Sequence, residues 1–232
     1  MSAPLFQGID ETALARLRTL AGEFLQRKDV QGAGGIELDA QARLSVAAQA
    51  VLPIFGLDMG WYRGWYSVIL YPGAFRRRGE LVDEAGVVHE ASEVLAGEAW
   101  TQGPVILSWE DVVADLELAA PGSNVTVHEC AHKLDLLNGG IANGFPPLHA
   151  GMSREAWTSA FAAAWRQHRD AVASGRDTWL DPYGAEDPGE FFATASELFF
   201  SAGAALAAEH PAVHQQLLAF YRMDPSSWQR PG

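Results

Sequence analysis

The stretch His128-Glu129-Cys130-Ala131-His132 decides how the rest of this chain is interpreted. Residues four apart lie on the same face of a helix, separated by roughly 6 Å of rise, so both imidazoles can reach one cation. Glu129 then lies beside that cation, where its carboxylate can act on a bound water. This HExxH pattern is typical of zinc peptidases, in which the two histidines bind the metal and the glutamate is the general base.

The flanking residues place this pattern on a helix. Ser123 or Asn124 is a suitable N-cap before an apolar run, and Asn138-Gly139-Gly140 predicts the end of the helix. With seven histidines in the chain, a chance occurrence is rare, on the order of once in a hundred such sequences. The structural alternative is that His128 and His132 are ordinary, partly buried histidines with hydrogen-bond partners.

Composition limits the class of protein. With 232 residues, of which 48% are hydrophobic, the chain can bury a sizeable core, and we expect one domain over 1–232 with a helical part, 1–55, packed on it. The amino terminus lacks the basic and apolar regions of a signal peptide. No apolar run reaches the roughly eighteen residues of a membrane span. We therefore expect a soluble, cytoplasmic protein.

Cysteine content and charge narrow the class further. Cys130 is the single cysteine, which excludes an intramolecular disulfide. On a helix it points away from the two histidines, so we expect a small core residue instead of a metal ligand. A formal net charge of -13 disfavours direct binding to nucleic acid. We expect the run Arg76-Arg77-Arg78 to be a solvated loop, and the alternative is a small anion-binding site.

Hydrophobic periodicity predicts an α+β fold. Helices are expected over 10–27, opened by Asp10, and from Asp39 or Ala40 to Leu52, ended by Pro53. Strands are predicted at 61–71, 87–89, 93–100 and 104–109. Helices return at 153–174, 188–202 and 211–222. This order indicates an α+β layout with a small twisted sheet and flanking helical regions, and with the metal site between the sheet and the carboxy-terminal helices. Together with the HExxH helix, it leads us to expect a zincin-like metallopeptidase fold.

A catalytic zinc usually takes three protein ligands, so a third is expected after His132. The metzincin pattern is excluded because position 138 is Asn138 and not histidine. Asp187-Pro188 predicts a helix start that places Glu190 in the first turn. Glu190 is then either the third ligand or the partner of Asp187 in a capping box. Spacing alone leaves four other candidate ligands: Glu186, Glu197, Asp135 and His149.

Two acidic residues are candidates for holding a metal ligand in place. Glu190, Thr194 and Glu197 share one helix face, so that one carboxylate can bind the metal while Glu197 hydrogen-bonds a ligand. Asp135 follows His132 by one turn. It either accepts a hydrogen bond from an imidazole N–H or is a charge facing the solvent.

Several segments together resemble the Mlc titration factor A family of zinc-dependent peptidases. They are the HExxH stretch with Lys133-Leu134-Asp135, the following 138–147, Pro182-Tyr183-Gly184 and Glu190-Phe191-Phe192-Ala193. This family is similar to the catalytic domain of anthrax lethal factor, in which Tyr-Gly and then Glu-Phe-Phe-Ala supply the catalytic tyrosine and the third zinc ligand. The resemblance therefore implies that Tyr183 is catalytic and that Glu190 completes a site for one zinc ion per chain.

The resemblance also implies a function. The chain is expected to be a gluzincin-like zinc peptidase with aminopeptidase-like activity. In such an enzyme, Glu129 takes a proton from the zinc-bound water and Tyr183 stabilises the oxyanion. The strand at 104–109 is expected to pair with an extended peptide substrate. The alternative is a regulatory protein that binds a transcriptional repressor of the Mlc type, with the metal site secondary. The intact Glu129 favours the enzyme, because a structural zinc needs no general base.

Overall fold

The computed structural model describes residues 3–73 and 103–228. The predicted strands at 87–89 and 93–100 and the run Arg76-Arg77-Arg78 lie outside the described residues. Within the described ranges, helices predominate and accompany a three-stranded sheet. This mixed, helix-rich architecture is compatible with the α+β prediction.

Two amino-terminal helices begin where their caps predict. Helix α1 spans Glu11–Arg27, and the carboxylate of Asp10 accepts a hydrogen bond from the amide of Ala13 at 2.8 Å. Helix α2 spans Ala40–Ala50, and Asp39 accepts from the amide of Ala42 at 2.7 Å. A short 3-10 turn, Leu52–Ile54, follows α2 and contains Pro53. Both predicted helices are confirmed.

The sheet consists of parallel strands in the order β1 (Asp29–Gly32), β2 (Ser67–Tyr71) and β3 (Val105–Ser108). In the register, Val68 of β2 lies between Val30 of β1 and Val105 of β3, and all three side chains are buried. Strand β1 was not predicted. Its four residues include only one buried side chain, too few for a recognisable alternation.

The predicted strand at 61–71 is wrong in its first half. Met59–Tyr62 is a 3-10 turn that Asp58 caps, and the strand begins only at Ser67. Gly64 adopts a φ of +90°, which a strand does not accommodate. Aromatic residues are typical of strands, but here Tyr62 and Trp65 pack into the core outside any strand, each 1% exposed.

Helix α3 (Trp109–Leu118) was also missed, because the prediction continued the third strand through Trp109. Strand β3 ends at Ser108, whose hydroxyl accepts a hydrogen bond from the amide of Asp111 at 3.2 Å. Ser108 is thus the N-cap of α3. The helix ends at Ala119, which adopts a left-handed conformation with a φ of 46°.

The motif helix, α4, spans Val125–Asp135. Of the two predicted caps, Asn124 is the one used, and its side chain accepts from the amide of Val127 at 2.8 Å. The helix ends just before the predicted stop at Asn138-Gly139-Gly140, where Gly139 and Gly140 both have positive φ.

Three helices complete the described fold: α5 (Arg154–Ala173), α6 (Pro188–Glu209) and α7 (Pro211–Tyr221). Helix α6 continues past the predicted end at 202, where Ala202 leaves helical geometry with a φ of −149° and a ψ of 58°. By length and composition α6 is apolar enough to cross a membrane. However, 67% of its most apolar window is buried in the protein, as in the central helix of a core.

Candidate metal centre

Helix α4 brings His128 and His132 together on one face. Their Nε2 atoms are 3.2 Å apart, and the ring centroids are 4.8 Å apart. Away from this face, Val127, Ala131 and Leu134 are fully buried in the core. Apolar packing on one side of α4 therefore fixes the orientation of the two imidazoles on the other.

Helix α6 brings Glu190 to the same point. Asp187 caps this helix by accepting from the amides of Gly189 at 2.7 Å and Glu190 at 3.0 Å. The Glu190 carboxylate lies 3.1 Å from His128 Nε2 and 3.4 Å from His132 Nε2. The capping-box alternative is therefore wrong, because this carboxylate contacts the imidazoles and not the amide of Asp187.

The spacing of these three donors fits a metal ion. Their candidate ligand atoms all lie within 4.8 Å of one another, and among the described residues they form the group that can hold a metal. Two atoms that each lie about 2.1 Å from a tetrahedral zinc are about 3.4 Å apart. The two Nε2 atoms are 3.2 Å apart, Glu190 Oε2 lies 3.1 Å from His128 Nε2, and Glu190 Oε1 lies 3.4 Å from His132 Nε2, so each of these contacts is close to that value.

The electrostatics of the site favour a positive charge at its centre. Burial opposes protonation of His128, but hydrogen bonds to Glu190 and Glu197 outweigh this effect and raise its pKa to about 10. Burial alone would favour the neutral form of Glu190, but its hydrogen bonds to His128 and His132 lower its pKa to about 2. A bound cation would satisfy the same carboxylate and imidazole groups.

Glu197 holds His128 from the side away from Glu190. Its side chain is fully buried, and Oε1 lies 2.7 Å from His128 Nδ1. In the neutral imidazole, Nδ1–H then donates to Glu197 and leaves the Nε2 lone pair facing Glu190 and His132. This is the donor set that a metal site requires.

Asp135 neither hydrogen-bonds an imidazole nor faces the solvent, the two alternatives predicted from the sequence. It is fully buried, so the solvent-facing alternative is wrong. Its oxygens accept from the amides of Gly144 at 2.6 Å and Phe145 at 2.8 Å, whereas His132 Nδ1 has no hydrogen-bond partner among the described residues. Burial raises the pKa of Asp135 to about 6 against the opposing effect of these amides. Asp135 therefore fixes the loop after α4 and does not orient an imidazole.

Tyr183 lies beside the histidines on a 3-10 turn, Pro182–Ala185. Its ring centroid is 6.3 Å from that of His128. Asp181 accepts from the amide of Tyr183 at 2.8 Å, and Gly184 packs so closely that a Cβ there would lie 2.4 Å from Thr194 Oγ1. Burial and the nearby Glu190 carboxylate raise the pKa of Tyr183 to about 12, so its hydroxyl is protonated and can donate.

The other residues singled out from the sequence are not part of the group formed by His128, His132 and Glu190. Glu129 is partly buried next to His128, while Glu186 is exposed. His149 Nε2 lies 2.7 Å from the carbonyl of Phe220, so His149 is not a ligand. Cys130 is 1% exposed, which confirms its assignment to the core, and burial raises its pKa to about 12.

Sequence reasoning missed three polar residues that support the centre. Asn124 was predicted only as a possible helix cap, yet its amide donates to Glu197 Oε2 at 2.6 Å. Asp115 of α3 accepts from the amide of Val125 at 2.7 Å. Gln49 of α2 accepts from Asn124 Nδ2 at 2.9 Å. The available signal was Gln49 itself, an amide flanked by the apolar residues of a helix.

The chain matches the family described as glucose-regulated metallo-peptidase M90 over residues 1–222. Proteins named Mlc titration factor A from Serratia proteamaculans (strain 568) and Salmonella arizonae are 36% identical over 227 residues and 37% identical over 230 residues. Both alignments cover 97% of this chain, and they cover 86% and 90% of the two relatives. The protein of the same name from Salmonella gallinarum is 38% identical, with 97% and 85% coverage. The resemblance inferred from the motifs is thus confirmed.

Proposed function

The chain belongs to the glucose-regulated metallopeptidase family M90, and we propose that it is a zinc peptidase that hydrolyses peptide bonds in cytoplasmic substrates. The observation that carries this proposal is the convergence of His128, His132 and Glu190, whose candidate ligand atoms all lie within 4.8 Å of one another. These three side chains would hold one zinc ion per chain. Two neutral imidazoles and one carboxylate leave such a site with a net positive charge.

The proposed chemistry depends on an activated water. When bound, zinc lowers the pKa of a coordinated water from 15.7 toward about 7 and polarises the scissile carbonyl. Glu129 is adjacent in sequence to the ligand His128 and is not part of the ligand set. It would take the proton of the attacking water and later deliver it to the leaving amine.

Tyr183 would stabilise the oxyanion that forms on the attacked carbonyl. Its protonated hydroxyl can donate a hydrogen bond, and its position beside His128 supports this role. Glu197 would keep the Nε2 lone pair of His128 directed at the metal by accepting its Nδ1–H. The proposed roles thus divide between binding, proton transfer and charge stabilisation.

Hydrolysis of a panel of aminoacyl and peptidyl chromogenic substrates tests the proposal. Wild-type protein of known zinc content is compared with Glu129→Gln at the same zinc content. We expect activity in the wild type and a loss of at least about 100-fold in the variant, since general base catalysis contributes that much. Faster cleavage of substrates with a free amino terminus would support aminopeptidase-like activity. Equal activity of the two proteins would refute the role of Glu129.

The name of these relatives, Mlc titration factor A, supports a second proposal, that the chain binds a repressor of the Mlc type. If the metal site only stabilises the fold, Glu129 is not needed for binding to the repressor. Capture of a purified repressor of this type by wild type and by Glu129→Gln would then be equal. Because the described site includes a base and a tyrosine beyond the ligands, its geometry favours the peptidase.

A further inference from the structure

One buried glutamine connects the amino-terminal helices to the metal centre. Helix α2 buries six side chains, and five of them are apolar: Ala42, Val46, Ala47, Ala48 and Ala50. The sixth is Gln49, which is fully buried. An amide is unfavourable in such a position unless both of its ends are hydrogen-bonded. Gln49 meets this condition, because Nε2 donates to the carbonyl of Val112 at 3.1 Å and Oε1 accepts from Asn124 Nδ2 at 2.9 Å.

Asn124 is fixed at each of its polar groups. Its Oδ1 caps α4 by accepting from the amide of Val127, and its Nδ2 is held by Gln49. With the side chain fixed at both ends, the backbone amide donates to Glu197 Oε2 at 2.6 Å. Asn124 is 2% exposed, so water does not replace a lost partner. Without Gln49, its Nδ2 would be a buried donor with no acceptor, which the side chain can relieve only by moving.

Glu197 connects Asn124 to His128, because it accepts a hydrogen bond from each of them. It uses Oε2 for the amide of Asn124 and Oε1 for His128 Nδ1. A shift of Asn124 therefore releases one side of the carboxylate and changes the direction in which the other side holds the imidazole. The residues Gln49, Asn124, Glu197 and His128 form a continuous series of hydrogen bonds from α2 to the proposed metal.

We propose that Gln49 is a positioning residue for the metal ligand His128, acting through Asn124 and Glu197. This inference rests on the zinc centre proposed above. It gives the amino-terminal helices a role in metal binding, although the described group of metal ligands contains no residue of these helices.

The test measures zinc affinity by competition with a chelator, and metal geometry by the visible absorption of the cobalt-substituted protein. Gln49→Met keeps the length and helix preference of the side chain but removes both polar groups. Asn124→Ser keeps a capping oxygen but removes Nδ2. Loss of a group that orients a metal ligand typically weakens metal binding about 10-fold to 100-fold. We expect such a loss, with an altered cobalt spectrum, for each variant.

The double variant and a matched control separate positioning from general stability. If Gln49 acts through Asn124, Gln49→Met with Asn124→Ser binds zinc about as weakly as Asn124→Ser alone, because the two effects share one path. Tyr221→Phe removes a buried hydrogen bond to Ser196 on the same helix α6 and should leave zinc affinity and the cobalt spectrum unchanged.

Two results would overturn this inference while the wild type still binds zinc. One is wild-type affinity in Gln49→Met. The other is a double variant whose loss equals the product of the two single losses, which indicates independent effects on stability. If the wild-type protein itself does not bind zinc, the proposed function fails, and the failure is distinguishable from that of Gln49.

Discussion

At the scale of single residues, the centre combines three donors with neighbours that restrict them. His128 is held on both sides by carboxylates, at 3.1 Å from Glu190 and 2.7 Å from Glu197. The HExxH string predicted the two histidines, but spacing left Glu190 and Glu197 as rivals. Their different roles depend on which imidazole nitrogen each carboxylate meets, and this is a property of packing between α4 and α6.

Asp135 provides a pH-dependent prediction for stability. Burial raises its pKa from 3.8 to about 6. The folded state therefore keeps the proton longer than the unfolded state, and this group makes the protein less stable as the pH rises from about 4 to about 6. Asp135→Asn does not titrate. We expect the free energy of unfolding of the variant, relative to wild type, to improve by ~3 kcal/mol across this range.

Urea unfolding of both metal-free proteins between pH 4 and pH 7 measures this difference. The side chain of the variant offers one acceptor to the amides of Gly144 and Phe145 at every pH, so its own hydrogen bonds do not change over this range. Parallel stability curves for the two proteins would show that Asp135 does not titrate as described.

At the scale of elements, the caps were predictable, whereas the sheet was predicted only in part: the expected strands at 61–71 and 104–109 contain β2 and β3. Asp10, Asp39 and Asp187 each preceded a helix in the sequence, and each accepts amide hydrogen bonds in the structure. Such caps are local, so a single sequence contains them. Strand β1 and helix α3 were missed, because one is too short for a pattern and the other follows β3 without a turn.

In the metal site, too, local features were predictable from the sequence and long-range contacts were not. Helix α4 and its two histidines are local features, whereas the contact between Gln49 and Asn124 joins residues 75 positions apart. Nothing in either local pattern indicates that contact. Glu190 and Tyr183 were assigned through resemblance to a family, since the spacing of carboxylates along the chain did not select among the candidates.

The contact between the tyrosine turn and α6 leads to a prediction for Gly184→Ala. The added Cβ would lie 2.4 Å from Thr194 Oγ1. Because Thr194 is 1% exposed and its hydroxyl donates to the carbonyl of Glu190, we expect the turn that carries Tyr183 to move away from α6. Overpacking of this kind costs about 1–3 kcal/mol. Because zinc binding does not use this turn, we expect peptidase activity to fall about 10-fold or more while zinc affinity stays within about 3-fold of wild type.

Activity and zinc affinity of Gly184→Ala are measured beside Gly184→Ala with Thr194→Ala. The second substitution removes the hydroxyl that the new Cβ would meet and should restore most of the activity. A Gly184→Ala enzyme with wild-type activity would contradict the proposed placement of Tyr183 in the reaction.

At the scale of the whole molecule, a single apolar cluster extends from α1 to α7 through the described residues. Phe24 of α1 contacts the rings of Tyr62 and Trp65, at centroid distances of 6.3 and 6.0 Å. Gly56 lies against the carboxy-terminal end of α7, where a Cβ would be 2.2 Å from the carbonyl of Tyr221. Both ends of the described chain therefore share their packing with the helices that hold the metal site.

This shared core predicts cooperative unfolding. In urea, helix content measured by circular dichroism and tryptophan fluorescence of the metal-free protein should change in one transition with the same midpoint. An earlier, separate loss of helix content would instead indicate that the helical part at 1–55 unfolds independently.

The zinc affinity of Glu190→Gln, measured by chelator competition, tests the central claim most directly. Wild type should bind one zinc per chain. Glu186→Gln is the matched control, because it removes the same charge from an exposed residue close in sequence. We predict that Glu190→Gln binds zinc at least about 100-fold more weakly than wild type, a larger loss than for Glu197→Ala, and that the control stays within about 2-fold. Equal affinities for Glu190→Gln and Glu186→Gln would contradict the account.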